Sequence, residues 1–185
     1  MLLSNTGIHE PGLIGPREAP LRIGILTGGE DLSYAQGLAL SLAEQGALID
    51  LVASDKLDVP ALRSATGIRF LNLRGDQRED APLPRKAYRL FRYYARLIRF
   101  AVQSDAEIFH ILWNNKFEFI DRTLLMLFYR LCGRRVVLTV HNVNAAARDG
   151  RDSAVNRWTL RAQYRLAHHL FVHTRKMAEQ LGSVF

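Results

Sequence analysis

Beyond residue 20 the chain alternates between short apolar runs of strand length and longer segments whose apolar positions recur every three to four residues. The first run, Leu21 to Leu26, ends in Thr27-Gly28-Gly29, and Ser33 is placed to cap a helix carrying Leu38, Leu40, Leu42 and Ala43. Gly46 falls where a left-handed C-cap belongs, and Ala47 to Ala53 is the second run. Ile68 to Leu73 is the third, closed by Gly75 and Asp76 and followed by a polar loop reaching Pro84. The pattern then predicts a long helix from about Arg85 to Gln103, strand Ile108 to Trp113, helix Phe119 to Cys132 stopped by Gly133, and strand Val136 to Val140. Asp152 or Ser153 can cap a helix to Ala167, Leu170 to Val172 is the sixth strand, and Thr174 opens a last helix through Leu181. Six apolar strands alternating with helices predict an α/β fold, a doubly wound and mostly parallel sheet with helices on both faces.

Such sheets bind ligands outside the carboxyl ends of their strands, so the residues that follow each run carry the candidate chemistry. Here they are polar: Thr27, Gly28, Gly29, Glu30 and Asp31; Asn114, Asn115 and Lys116; His141, Asn142 and Asn144; His173 and Thr174. Gly28 and Gly29 either bring backbone N–H groups close to a phosphate at a helix N-terminus or simply provide a flexible turn. The segment Gly-Gly-Glu-Asp-Leu-Ser lacks the Gly-x-Gly-x-x-Gly spacing of a dinucleotide fingerprint, and two carboxylates there oppose a phosphate. His141, at the mouth of a central strand, can hydrogen-bond a sugar hydroxyl or phosphate near neutral pH, or can order the loop beside it. Arg148, with Asp149, Arg151 and Asp152, either reaches over a ligand or forms a solvated connection. His168, His169 and His173 read as structural or surface residues, because adjacent histidines point apart, and no metal site is expected.

Composition narrows the classes. Of the 185 residues, 25 are Lys or Arg and 18 are Asp or Glu, a net charge of +7, and 48% are hydrophobic, which excludes a disordered or fibrous chain. Cys132 is the only cysteine, so a disulfide framework and a thiolate metal cage are both excluded and a reducing compartment fits. Residues 1–20, with Gly7, Pro11, Gly12, Gly15, Pro16 and Pro20, read as a flexible leader and not as a secretory signal, leaving 21–185 as the folded domain. Arginine supplies 21 of the 25 positive charges, and its planar fork suits phosphate groups on a nucleotide, a nucleic acid or an anionic membrane. Arg85, Arg89, Arg92, Arg96 and Arg99 fall within about 80° of helical arc, opposite Ala87, Leu90, Phe91, Tyr94, Leu97, Ile98, Ala101 and Val102 and flanked by Tyr88, Tyr93 and Phe100. With the apolar side assigned to the sheet, this stripe is either a solvated face or a surface for electrostatic adherence to anionic lipid without deep insertion. No helix-turn-helix, zinc or RNA-recognition signature accompanies it, so nucleic acid ranks below the other partners.

Four segments together carry a resemblance: Ile23-Gly24-Ile25-Leu26 with Gly28-Gly29; Phe109-His110-Ile111-Leu112-Trp113; Val137-Leu138-Thr139-Val140-His141-Asn142-Val143; and His168-His169-Leu170-Phe171-Val172-His173-Thr174. Over residues 21–185 the chain resembles the N-terminal, Rossmann-like domain of GT-B fold glycosyltransferases of the retaining, family-4 type. The resemblance implies an enzyme that moves a sugar from a nucleotide-sugar donor to a glycan or lipid-linked acceptor, with retention and without an obligatory metal or other cofactor. By similarity, His141 contacts the donor sugar as the catalytic residue, Gly28 and Gly29 approach the donor phosphates, and Asn142, Asn144 and Arg148 lie on the acceptor side. Such enzymes carry a second, donor-binding domain, with which this sequence does not continue past Phe185. The expectation is therefore an acceptor-side half completed by a C-terminal donor domain in cis or in trans, inactive in transfer alone. It is expected to serve polysaccharide or glycolipid assembly in the cytoplasm, peripheral to the inner face of the membrane. A non-catalytic Rossmann-like module for a phosphorylated ligand or a protein partner is the alternative.

Overall fold

A computed structural model describes residues 19–28, 31–78, 80–115 and 117–184. The elements run β1 (Arg22–Leu26), α1 (Leu32–Glu44), β2 (Leu48–Ala53), α2 (Pro60–Ser64), β3 (Ile68–Asn72), α3 (Leu83–Gln103), β4 (Ile108–Ile111), α4 (Glu118–Ile120), α5 (Met126–Leu131), β5 (Arg135–Val140), α6 (Ala145–Arg148), α7 (Ala154–Leu166), β6 (His169–Val172) and α8 (Arg175–Val184). The six strands form one sheet in the order β3-β2-β1-β4-β5-β6, every neighbouring pair parallel. This is the Rossmann-like α/β arrangement that the alternating pattern predicts, with the strand order reversing between β1 and β4.

Right-handed crossovers put α1 and α2 on one face of the sheet and α3, α5 and α7 on the other, because the chain winds outward from β1 in opposite directions. Each face has its own core. Ile23, Ile25, Ile49 and Leu51 pack under Ala35 and Ala39 of α1 and Leu62 of α2. On the other side, Tyr93, Leu97 and Phe100 of α3 and Met126 and Tyr129 of α5 meet Phe109, Val136 and Leu138. Gly24 is small for a packing reason: a Cβ there lies 3.1 Å from the Phe109 ring and 3.4 Å from that of Phe100, two rings stacked with centroids 5.3 Å apart.

Several expectations are corrected. Helix α1 is capped by Asp31, whose Oδ1 accepts from the Tyr34 N–H at 3.0 Å, and not by Ser33. Asp31 manages this from a left-handed φ of 39°, a conformation that a short polar side chain tolerates. The segment between β2 and β3, for which the pattern predicts no element, holds a 3₁₀ turn at Asp55–Leu57 with Leu57 buried and α2 with Leu62 buried. The helix expected over 119–132 is broken in character by a π-helical turn at Asp121–Leu125 between α4 and α5. Ser153, whose Oγ accepts from the Asn156 N–H at 3.1 Å, caps α7, and Thr174 opens α8 by accepting from Met177 N–H at 3.2 Å.

The largest correction concerns α3. It is rolled so that Tyr93, Leu97, Phe100 and Ala101 face the sheet, while Phe91, Ile98 and Val102, expected to cover it, are exposed. Tyr93 and Phe100 are therefore core residues and not flanks of a surface stripe. The roll follows from what the rings meet: Phe100 fills the space above Gly24 and Phe109, the buried Tyr93 donates its O–H to Asn115 Oδ1 at 2.6 Å, and the aliphatic stems of Arg89 and Arg96 tolerate the half-buried border.

Candidate functional site

The turn after β1 and the end of β4 meet at the reversal of strand order. Gly28 has φ +62°, and a Cβ on it would lie 2.7 Å from the carbonyl carbon and the Cβ of Trp113, so only glycine lets the two backbones cross here. Its carbonyl accepts a hydrogen bond from Arg74, whose guanidinium also lies 5.5 Å from the centre of the Tyr93 ring. Gly28 thus has a structural duty whatever it binds. Gly29, with Glu30 and Lys116, lies outside the described residues, as does the leader up to residue 18.

Across that crossing stands an aromatic cluster. His141, delivered by the end of β5, stacks on the indole of Trp113 with centroids 3.7 Å apart and planes 11° from parallel. Tyr34 of α1 meets Trp113, His141 and His173 edge-on at 6.0, 5.5 and 5.7 Å. His173, just past β6, brings its Nε2 to 2.9 Å from His141 Nδ1. One imidazole must supply the proton of that bond, so the two rings form a coupled donor and acceptor. Burial, and next the like charge of His173, hold the His141 pKa below the ordinary histidine value, against a smaller opposing pull from Asp31. His141 is therefore neutral at pH 7. Its Nε2 is buried and, among the described residues, meets no acceptor at hydrogen-bonding geometry, although the Leu112 carbonyl lies near the ring.

Beside this cluster a cleft of about 260 Å³ opens at the carboxyl ends of β4 and β5, bounded by α4, α6 and α7. Its polar lining includes Asn114, Asn115, Arg122, His141, Asn142 and Gln163. Gln163 is buried in α7 and donates to Asn114 Oδ1 at 2.8 Å, fixing that amide's orientation. Arg122 is 11% exposed and held by Asn156 at 2.8 Å and Glu118 at 3.1 Å, so it presents a fixed positive charge in the wall. Behind it, Asp121 is buried, and burial raises its pKa even though Tyr94 and Asn115 donate to its Oδ1 at 2.8 and 3.1 Å. The π-helical turn carrying Asp121 points this carboxyl inward to them.

The three residues expected on the acceptor side divide. Asn142 is exposed, and its Oδ1 accepts from Arg148 Nη1 at 3.3 Å, so those two are brought together. Arg148 is also paired with Asp149 at 2.8 Å. Asn144 is occupied elsewhere: its Oδ1 accepts from Ala147 N–H at 3.0 Å as the cap of α6 and from Asn156 Nδ2 at 2.9 Å. Of the other histidines, His168 accepts from the Val136 N–H through Nδ1 at 3.0 Å, tying β6 to β5. Among the described residues no group of three or more His, Cys, Asp or Glu is placed to hold a metal ion.

Three residues of this site carry no signal of their own in the sequence: Tyr34 sits on a helix, and Gln163 and Arg122 read as ordinary helical polar residues. Only their convergence at one end of the sheet marks them. His173 is marked by its place after the sixth run, but its link to His141, 32 positions away, is not.

The profile of Glycosyltransferase Family 4 matches residues 33–185, well over half of the chain. The chain belongs to glycosyltransferase family 4. No curated protein matches the sequence. Family membership makes this a glycosyltransferase-like domain, and the matched region contains Trp113, His141, the cleft and His173, with Gly28 just ahead of it. No helix among the described residues of this family 4 domain is long and apolar enough to cross a membrane.

Proposed function

We propose that this family 4 domain is the acceptor-side half of a retaining glycosyltransferase that moves a sugar from a nucleotide-sugar donor to a glycan or lipid-linked acceptor. The observation that carries the reading is His141, stacked on Trp113 at the rim of a polar cleft at the strand ends. In this proposal His141 contacts the donor sugar, and Gly28 and Gly29 approach the donor phosphates. The acceptor lies in the cleft, with Asn142 and Arg148 at its edge and Asn144 setting the loop that carries them. A neutral imidazole suits the task, since it can donate a hydrogen bond to a sugar hydroxyl without adding charge to an oxocarbenium-like centre. A second, donor-binding domain in cis or in trans grips the nucleotide, and transfer needs no metal. The setting is polysaccharide or glycolipid assembly in the cytoplasm.

The test is a transfer assay on the chain together with its donor domain, across nucleotide sugars, in the presence of EDTA, with the product's anomeric configuration read by NMR. Retention is expected, and His141→Ala is expected to lower kcat about 100-fold, the scale of a positioned hydrogen-bonding catalyst, and to alter folding less than it alters turnover. Inverted product, or unchanged kinetics in His141→Ala, overturns the assignment. Saccharide binding with no transfer from any donor would make the domain a binding module instead.

A further inference from the structure

The roll of α3 leaves an unusual surface. Thirteen of the fourteen exposed large apolar side chains among the described residues lie on α3 or α7 or at the α4–α5 helix, and only Phe171 lies elsewhere. These helices sit side by side on one face of the sheet. Tyr94 of α3 stacks on Phe117 at 5.8 Å, Phe119 stacks on Trp158 of α7 at 6.1 Å, and Arg130 of α5 donates to the Leu166 carbonyl of α7 at 2.9 Å. Phe91, at 74% exposed, with Ile98 and Val102 forms one open strip along α3, and Leu124, Leu127 and Leu131 form another along the neighbouring helix. Exposed apolar side chains gathered on one face in this way mark an interaction site.

The charge on the same helices is one-sided. Residues 83–103, 118–131 and 154–166 hold eleven Lys and Arg against Glu118 and Asp121, of which Glu118 is ion-paired with Arg122 and Asp121 is buried. Arg85, Arg92 and Arg99 recur every seven residues, two helical turns, and form a row beside the apolar strip, with Tyr88 between the two. Arg89 and Arg96 do not join this row, being half-buried and bonded to the Asp76 and Leu73 carbonyls at 3.0 and 3.3 Å.

We propose that the outer face of α3, α5 and α7 docks on an anionic lipid surface, the arginine row at the headgroups and Phe91, Ile98 and the α5 leucines in the acyl boundary. Apolar side chains bordered by arginine and aromatic residues match the layering of a bilayer surface from acyl chains to charged headgroups. A second copy is disfavoured by charge, since a two-fold contact would set like arginine rows together. A nucleic acid would leave the leucines without a partner. The face includes insertion that the sequence pattern does not predict, and it is independent of the transfer reaction.

The experiment is flotation of the purified chain with vesicles of phosphatidylcholine alone or mixed with phosphatidylglycerol, with circular dichroism and light scattering as controls. Strong recovery on the mixed vesicles is expected, weakened by salt. Arg85→Gln with Arg92→Gln and Arg99→Gln should lower partitioning on the order of 100-fold, from about fivefold per arginine. Phe91→Ser with Ile98→Ser should lower it about tenfold, by removing the inserted apolar area. Neither set touches the core, so both should fold. Equal recovery on neutral vesicles, no recovery, or wild-type behaviour of both variants overturns the proposal. So does a wild-type dimer that Phe91→Ser dissociates without vesicle binding, or binding of an oligonucleotide with vesicles ignored.

Discussion

The His141 ring lies flat on the Trp113 indole, centroids 3.7 Å apart, where the carboxyl ends of β4 and β5 meet the turn after β1. The stack buries one side of the imidazole, and His173 engages its Nδ1. Both effects favour the neutral ring, which fixes how His141 should titrate. Followed by NMR of the ring Cε1–H, His141 should titrate below the ordinary histidine value of about 6.5. Replacing His173 by Ala removes a like charge and should move that midpoint upward. A midpoint unmoved in His173→Ala would show that burial alone sets it.

Gly28 offers a sharper steric prediction. Its φ of +62° and the Trp113 backbone against its α-carbon leave no room for a side chain, whereas Gly75, at φ +67°, has open space around it. Gly75→Ala should cost about 1 kcal/mol, the conformational penalty alone. Gly28→Ala should cost about 3 kcal/mol or more, because it must also displace the β4 terminus. Urea unfolding of the two variants checks this, and similar midpoints would contradict the close approach.

Much of the fold is legible in the sequence because the strands, most deeply buried at β1, β2, β4 and β5, read as short, mainly apolar runs, and all six runs become strands. Periodicity fails where elements are short: Pro60–Ser64 and Ala145–Arg148 span too few residues to show a period. It also fails for α3, since a helical wheel gives angles between residues but not which arc meets the sheet. Arg89 and Arg96 could be half-buried only because carbonyls at the end of β3 and in the following loop receive them. At the site, His141 is conspicuous by its place after an apolar run. His173 also follows an apolar run, but its meaning arises from the β5–β6 pairing that sets it beside His141.

Acid sensitivity should come from His110. It is buried in β4 with Nε2 2.8 Å from Thr139 Oγ1, and burial, with a smaller effect of His169, lowers its pKa to about 4. A depressed histidine pKa means that the folded state binds the proton less well than the unfolded chain does. Its stabilising contribution is thus complete above about pH 6.5 and is lost as pH falls toward 4, by on the order of 2–3 kcal/mol. Asp121, with its raised pKa, acts in the opposite sense in the acid range. Urea midpoints between pH 7 and pH 4 should fall steeply in the wild type and less in His110→Gln. Equal slopes would remove His110 as the cause.

Asn144 and Arg148 separate loop architecture from ligand contact. The Asn144 amide oxygen caps α6 and also accepts from Asn156 in α7, so Asn144→Ala removes a cap and an interhelical bond together. It should destabilise the domain by about 1–2 kcal/mol, as a lost cap does, and lower transfer by letting the loop move. Arg148 is exposed and, among the described residues, paired with Asp149 and Asn142 in contacts that solvent screens, so Arg148→Ala should melt like the wild type. If its guanidinium meets the acceptor, that variant raises the acceptor KM with kcat unchanged, the signature of binding lost equally in ground and transition states. Unchanged acceptor KM in Arg148→Ala would leave Asn142 as the acceptor contact on that edge of the cleft.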